Sequence, residues 1–147
     1  MKIIKLFYVL VILFGFSNCI DQKQKDDEQI KNVVSNFWKA VKENDETAYL
    51  SLIEDSESEY KLAMLNQLHY LNRNYNKLNH QNSLLNKVEI KETNESGTPQ
   101  KVVGYEFIKQ NSTVEPLSVR LFFYKSVGYN KIFNVQILGN LPEWEKQ

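Results

Sequence analysis

The chain has 147 residues, a length typical of one domain with a single hydrophobic core, and its 18 basic residues equal its 18 acidic ones in number. This balance excludes the basic surplus with which proteins neutralise a phosphate backbone, so we expect no nucleic-acid partner. The single cysteine, Cys19, excludes a disulfide within the chain and a zinc site built from several thiolates. Composition therefore indicates one small globular domain.

The N-terminus has the order of parts of a secretory signal. Two lysines precede an uncharged apolar run of 11 residues, 6–16, which is shorter than the about 20 residues of a membrane-spanning helix. A Ser-Asn pair then leads to Cys19. This arrangement is similar to the lipoprotein signals of the Bacteroidetes group, which implies removal of residues 1–18 and attachment of a lipid, such as palmitate, to Cys19. The alternatives are an ordinary secretory signal with an incidental cysteine and an uncleaved anchor.

A lipoprotein signal implies a place in the cell envelope. The lipid would anchor the protein to the outer membrane, with the domain in the periplasm or at the cell surface. Loss of residues 1–18 removes two lysines and no acid, which changes the net charge from zero to −2. Residues 19–27 are polar throughout, so we expect a flexible tether there. The globular domain then occupies residues 28–147.

Three helices are predicted at the start of this domain. The first covers residues 27–43, since its apolar residues recur at helical spacing and form one broad stripe. That stripe comprises Ile30, Val33, Val34, Phe37, Trp38 and Val41. Asp45 is placed to cap a short second helix that ends at Ile53. A capping box at residues 56–59 predicts the start of a third helix.

Strands follow, because the apolar period changes to two after Leu84. The alternation predicts strands around residues 88–90, over 101–109 and 117–124, and a last strand with Phe133, Val135 and Ile137 on one face. Short turns between consecutive strands indicate antiparallel pairing. Helices first and strands afterwards predict an α+β fold, with the helices packed on one face of the sheet.

Two segments carry a family resemblance. FWKAVKENDETAYLSLI, residues 37–53, and VRLFFYKSVGYNKIFNVQI, residues 119–137, resemble the opening helices and closing hairpin of the NTF2-like (cystatin-like) superfamily. The resemblance extends over roughly residues 27–138. It implies a cone in which helices and a curved antiparallel sheet enclose a pocket.

No catalytic or metal-binding constellation is visible. The sequence lacks the common nucleophile, phosphate-loop and metalloprotease motifs, and neither His69 nor His80 has a second ligand at helical spacing. NTF2-like enzymes such as ketosteroid isomerase and scytalone dehydratase place an acid or histidine base and tyrosine donors inside the cone. Here Tyr105 and Glu106 are consecutive in a strand, so they are predicted to face opposite sides. We expect no catalytic residue, metal or cofactor.

Two sets of side chains remain as binding candidates. The first would line a hollow cone or form the core of a solid one: Phe37, Trp38, Tyr49, Tyr105, Phe107 and Phe123. The second would give the other face of the sheet an apolar patch for a partner: Arg120, Phe122, Tyr124 and Ile132.

These features predict a membrane-anchored lipoprotein whose non-catalytic domain binds a small ligand or a protein partner, with a homodimer through the sheet face among the options. The alternatives are a structural or assembly lipoprotein with a solid core and an isomerase-like or dehydratase-like enzyme.

Overall fold

A computed structural model describes the backbone of residues 2–56, 59–79, 87–95, 97–108 and 117–139, and within these ranges the side chains from Gln22 onward except those of residues 77, 79, 95 and 108. Three helices precede a four-stranded sheet. The elements are α1 (Lys2–Glu43), α2 (Glu46–Ser51), α3 (Lys61–Asn79), β1 (Ile90–Glu95), β2 (Thr98–Ile108), β3 (Leu117–Tyr124), a 3-10 turn (Lys125–Val127) and β4 (Asn134–Leu138).

The sheet is an antiparallel meander in the order β1-β2-β3-β4, so the fold belongs to the α+β class, as the sequence predicts. Side chains alternate between a buried inner face and a more open outer face. The inner face carries Val103, Tyr105, Phe107, Val119, Leu121, Phe123, Val135 and Ile137. The predicted apolar stripe of α1 packs in the same core cluster, because a helix can bury one stripe against the apolar face of a sheet.

Helix α1 ends where the sequence pattern breaks. Asn44 adopts a positive φ of 53°, and the N–H of Asp45 donates to the carbonyl of Ala40 at 3.0 Å, which is the bond of a Schellman motif. Asp45 then caps α2 as predicted, because its Oδ1 accepts a hydrogen bond from the N–H of Ala48 at 2.9 Å.

Helix α3 starts later than predicted. It begins at Lys61, and the N–H of Met64 bonds to the carbonyl of Tyr60, so the predicted capping box over residues 56–59 precedes the helix instead of opening it. Two members of that box, Glu57 and Ser58, lie outside the described residues, as do His80, residues 109–116 and residues 140–147.

The entry to β4 also differs from the prediction. Ile132, expected on the outer face, is fully buried: it forms a parallel bridge with Ile53, and its N–H and carbonyl bond to Leu52 and Glu54, both at 2.8 Å. Phe133, expected to face inward with Val135, is 51% exposed. Because residue 132 pairs with a segment outside the meander, strand alternation begins only at Asn134, the first residue of β4.

The first helix extends far beyond its predicted start at residue 27. Residues 22–27, part of the predicted flexible tether, are helical and contact the sheet. The ammonium of Lys101 lies 2.6 Å from the carboxylate of Asp27 and 5.0 Å from the ring centre of Tyr129, and Lys23 pairs with Glu92 at 3.0 Å. Within the described part of the chain, no helix combines the length and apolar character of a membrane span.

The pair between Asp27 and Lys101 is partly buried, since the exposed fractions of the two side chains are 28% and 7%. We expect Asp27→Asn to lower the free energy of unfolding by about 2–3 kcal/mol, because the buried ammonium loses its counter-charge while Asp27 itself is partly solvated. Lys101→Met keeps the buried stem without the charge, so we expect a change within about 1 kcal/mol. Urea denaturation followed by circular dichroism measures both. An equal loss in the two variants would contradict this account of the pair.

Candidate functional site

The six aromatic residues predicted to line a pocket meet between α1 and the inner face of the sheet, and we call them the aromatic cluster: Phe37, Trp38, Tyr49, Tyr105, Phe107 and Phe123. All six are buried. Trp38 lies at the centre, with edge-on contacts to the rings of Phe37 at 5.1 Å, Tyr105 at 5.3 Å and Phe107 at 6.1 Å between ring centres.

Further ring contacts extend the cluster. Phe37 packs on Tyr49 at 5.3 Å, and Tyr105 stacks on Phe107 at 6.0 Å with the two planes 12° apart. Edge-on and offset arrangements at these distances are the favourable geometries for aromatic pairs. The rings therefore fill space against one another, which is the packing of a core.

Three polar atoms inside the cluster have no hydrogen-bond partner among the described residues: Nε1 of Trp38 and the hydroxyls of Tyr49 and Tyr105. Burial raises the pKa of Tyr105 to about 12, and the indole N–H of Trp38 opposes this rise, although the two groups do not meet hydrogen-bond geometry. Burial also raises the pKa of Tyr49 well above its ordinary value. At neutral pH both phenols are thus protonated, so neither serves as a general base.

The other candidates for chemistry are separated from this cluster. Glu106 is exposed on the outer face, on the opposite side of β2 from the buried Tyr105. His69 is partly exposed on α3 and lies 3.0 Å from the carboxylate of Glu46 on the surface. Across the residues with described side chains, no group of three or more histidine, cysteine or acidic residues is placed to hold a metal ion.

The outer face of the sheet forms an open groove of about 620 Å³. We call this surface the outer groove, and the side chains and backbone that line it belong to Lys87, Glu89, Lys91, Thr93, Val102, Gly104, Glu106, Ser118, Arg120, Phe122 and Gln136. Two of the predicted partner residues, Arg120 and Phe122, lie in it. A third, Tyr124, lies on the same face at the end of β3, whereas Ile132 is in the core.

Arg120 occupies the middle of the outer groove. It pairs across the sheet with Gly104, and its Cγ would lie 4.0 Å from a Cβ at that glycine, so the absence of a side chain leaves the arginine room on the strand. No described residue forms an ion pair with Arg120 or with Glu106, while Lys87 and Glu89 on the wall pair with each other at 2.8 Å. The groove therefore presents a guanidinium that has no ion-pair partner among the described residues, beside the half-buried ring of Phe122.

Two structural features of this region, at Phe133 and Gln100, are not predicted by the sequence pattern. Phe133 packs edge-on against Tyr124, with 4.4 Å between ring centres, and extends the apolar part of the outer face. Strand alternation counted back from Val135 places Phe133 on the inner face, but β4 begins only at Asn134. Gln100, the cross-strand neighbour of Tyr124, is buried, and neither atom of its amide has a hydrogen-bond partner among the described residues. Its position beside Pro99 at the start of β2 gave no signal of burial.

No family model matches the chain, and comparisons with curated proteins and with solved structures also give no match. The aromatic cluster and the outer groove are therefore the two regions whose geometry bears on function. Of the two, the cluster is closed by its own ring contacts and the groove is open to solvent.

The unpartnered hydroxyl of Tyr105 distinguishes a dry core from a ligand site. A buried polar group without a partner costs about 1–3 kcal/mol, so we expect Tyr105→Phe to leave the free energy of unfolding unchanged or to raise it. Urea denaturation at pH 7 measures the change, with the half-buried Tyr124→Phe as the matched control. A clear loss of stability in Tyr105→Phe alone would indicate a water or a ligand bonded to this hydroxyl.

The same hydroxyl predicts a pH dependence. Its pKa is about 12 in the folded chain against an ordinary value of 10.0, so the folded state retains the proton longer than the unfolded state. The contribution of Tyr105 to stability is thus complete below pH 10 and is lost as the pH rises toward 12. Denaturation midpoints measured across this interval should fall less steeply in Tyr105→Phe than in the parent chain. Parallel curves would contradict the raised pKa.

Proposed function

We propose that this chain is a membrane-anchored lipoprotein of the cell envelope whose NTF2-like domain is a non-catalytic binding module. Its binding surface is the outer groove, and its partner is a protein. The main support for this proposal is the outer face of the sheet, where Arg120 lies beside Phe122 and Tyr124 and has no ion-pair partner among the described residues.

The composition of the groove supports a protein partner. Arginine and aromatic residues are the types most enriched among the side chains that dominate binding energy at protein interfaces. A small molecule needs a site that encloses most of its surface, and the outer groove is open along the sheet. Arg120 and Glu106 carry opposite charges, and neither has an ion-pair partner in the part of the chain that the structure describes. Both would orient a partner that carries complementary charges.

A non-catalytic role is supported by the separation of the titratable groups. A general acid or base has to lie within reach of the reacting group together with a second polar residue. Tyr105, Glu106 and His69 lie inside the core, on the outer face and on the helical surface respectively. These three candidates thus do not converge on one site, and the contact of His69 with Glu46 lies on the surface.

One observation favours a second candidate, a small ligand held inside the domain. The polar tips of Trp38, Tyr49 and Tyr105 are buried without partners, and such groups in folded proteins commonly bond to a bound molecule or to water. The effect of Tyr105→Phe on stability separates this candidate from the first.

The NTF2-like assignment is supported by the order of elements. A long helix, a short helix and a third helix precede an antiparallel meander, and the helices cover one face of the sheet. In this arrangement the opposite face of the sheet is left for a partner or for a second copy of the chain.

The lipid anchor is tested at Cys19. We expect the full chain expressed in a bacterium to be found in the membrane fraction with a lipid-sized mass increment on residue 19. Cys19→Ala removes the atom that would carry the lipid, so the cleaved variant should leave that fraction. Fractionation and intact-mass spectrometry measure both. A Cys19→Ala protein that is cleaved and still held in the membrane would contradict lipidation.

The binding surface is tested by site-specific photo-crosslinking in the cells that make the protein. A photoreactive residue in place of Phe122 should form a discrete adduct, whereas the same residue in place of Lys39, exposed on α1, should form none. Reversing the central charge with Arg120→Glu should reduce the adduct at position 122, because the partner would then meet a charge of the wrong sign. Equal labelling at both positions, or an adduct unaffected by Arg120→Glu, would contradict the outer groove as the interface. The mass of the adduct distinguishes a second copy from a different protein.

A further inference from the structure

The contacts of residues 23–27 show which end of the sheet lies beside this part of α1. Lys101 is near the beginning of β2 and pairs across the sheet with Phe123, close to the end of β3. Its ion pair with Asp27 therefore places this part of α1 beside the β1–β2 turn and the connection from β3 to β4. We call this region, residues 97–98 and 124–133, the near end of the sheet.

Further contacts hold α1 along the sheet. Lys23 pairs with Glu92 at 3.0 Å, and Glu92 is the strand partner of Lys101. The Glu92 carboxylate raises the pKa of Lys23 through this hydrogen bond and its charge. At the other end, Trp38 packs on Phe107. The contacts at Asp27 and Trp38 lie 11 residues apart on one helix, or about 16 Å along its axis, so α1 has a fixed direction over the sheet.

The distance from these contacts to the proposed lipid anchor is short. The backbone from residue 19 to residue 23 is part of the same helix. At about 1.5 Å per residue, Cys19 lies about 6 Å from Lys23 and about 12 Å from Asp27 along the axis. The polar layer on each side of a bilayer is of the same order, about 5–8 Å. A lipid on Cys19 thus leaves little room between the near end and the membrane.

We propose that the near end of the sheet rests on the bilayer that carries the anchor, so that the domain is held in one orientation instead of swinging on a tether. This inference rests on the lipid anchor proposed above. The contact is made by the exposed ring of Phe133, which packs on Tyr124, and Lys125 and Lys131 are close to these two residues in the chain. Aromatic rings and lysine stems are the side chains best suited to the headgroup layer.

The charges around this end indicate which lipid is needed. Lys23 and Asp27 are paired with sheet residues of opposite charge, and Lys25 lies next to Asp26 on the helix. Lys125 and Lys131 add two positive charges, and residues 22–28, 92–101 and 124–133 together carry five lysines and five acidic residues. By sequence, this end therefore has no surplus of either sign. Contact depends on the aromatic ring and on the short distance to the anchor, so a zwitterionic membrane suffices and added salt has little effect.

The orientation is tested with a lipid supplied chemically. Every described core side chain lies between Ile30 and Ile137, so the chain from Cys19 onward retains the whole core. Its single thiol is coupled to a maleimide lipid in phosphatidylcholine vesicles. A fluorophore is attached through an azide-bearing residue in place of Lys125, at the near end, or in place of Lys87, which precedes β1 at the far end and is 69% exposed.

A quencher on the lipid headgroups should quench the fluorophore at position 125 several-fold more than the one at position 87. A flexible Gly-Ser segment inserted between Asp21 and Gln22 should abolish this difference, because it uncouples the helix from the anchor. Phe133→Ser, at an exposed position, should reduce quenching at position 125 without loss of folding. Equal quenching at the two positions in the parent chain would overturn the proposal. Because the lipid is attached in vitro, this result is independent of whether cells acylate Cys19, which the fractionation of Cys19→Ala decides separately.

Discussion

The packing of helix α1 along the inner face of the sheet is the constraint on which the rest of the structure depends. Its apolar stripe covers the meander from Ile30 to Val41, and Trp38 is the ring around which the aromatic cluster assembles. The pair between Asp27 and Lys101 continues this contact beyond the apolar stripe, where a charged strand residue would otherwise be buried alone. Because one long helix and its two neighbours all lie on this side, no described helix covers the opposite face of the sheet.

The difference between the two faces of the sheet underlies both the proposed binding surface and the proposed membrane orientation. The inner face holds aromatic rings that contact one another, and its polar atoms are few and protonated or neutral, which suits a core better than a site of acid–base chemistry. The outer face holds Arg120, Phe122 and Tyr124 in reach of solvent and of a partner. The same helix that closes the inner face leads back toward Cys19, so that a lipid at this residue would determine how the outer groove is presented above a membrane.

Much of the fold follows from local pattern in the sequence. The helical stripe of α1, the cap at Asp45 and the period-two alternation of β2 and β3 predict elements that the structure contains, because each signal depends on neighbours within a few residues. The departures come from distant contacts. The polar segment before residue 27 is helical beside Lys101, which is 74 residues away from Asp27, and no local pattern reports such a partner.

The candidate site divides in the same way. Strand alternation placed Arg120, Phe122 and Tyr124 on one face, as the structure has them, but it failed for Ile132 and Phe133. Both errors have one cause: the backbone of Ile132 pairs with residues 52–54, which precede α3, and the regular strand starts only afterwards. The six members of the aromatic cluster are likewise predicted from the sequence. That their rings pack against one another is seen only in the ring distances of the structure.

The central claim is that the segment after Cys19 belongs to a helix fixed on the sheet, and amide hydrogen exchange over residues 22–30 tests it most directly. Mass spectrometry of the chain from Cys19 onward, in its native state, resolves this segment from residues 31–43 of the same helix. The structure predicts that exchange over residues 24–30 is slowed and becomes faster in Asp27→Asn, because the contact with Lys101 holds this part of the helix. Exchange at the rate of an unstructured peptide up to Ile30, with protection only beyond it, would contradict the account. The segment would then be the flexible tether that composition alone predicts.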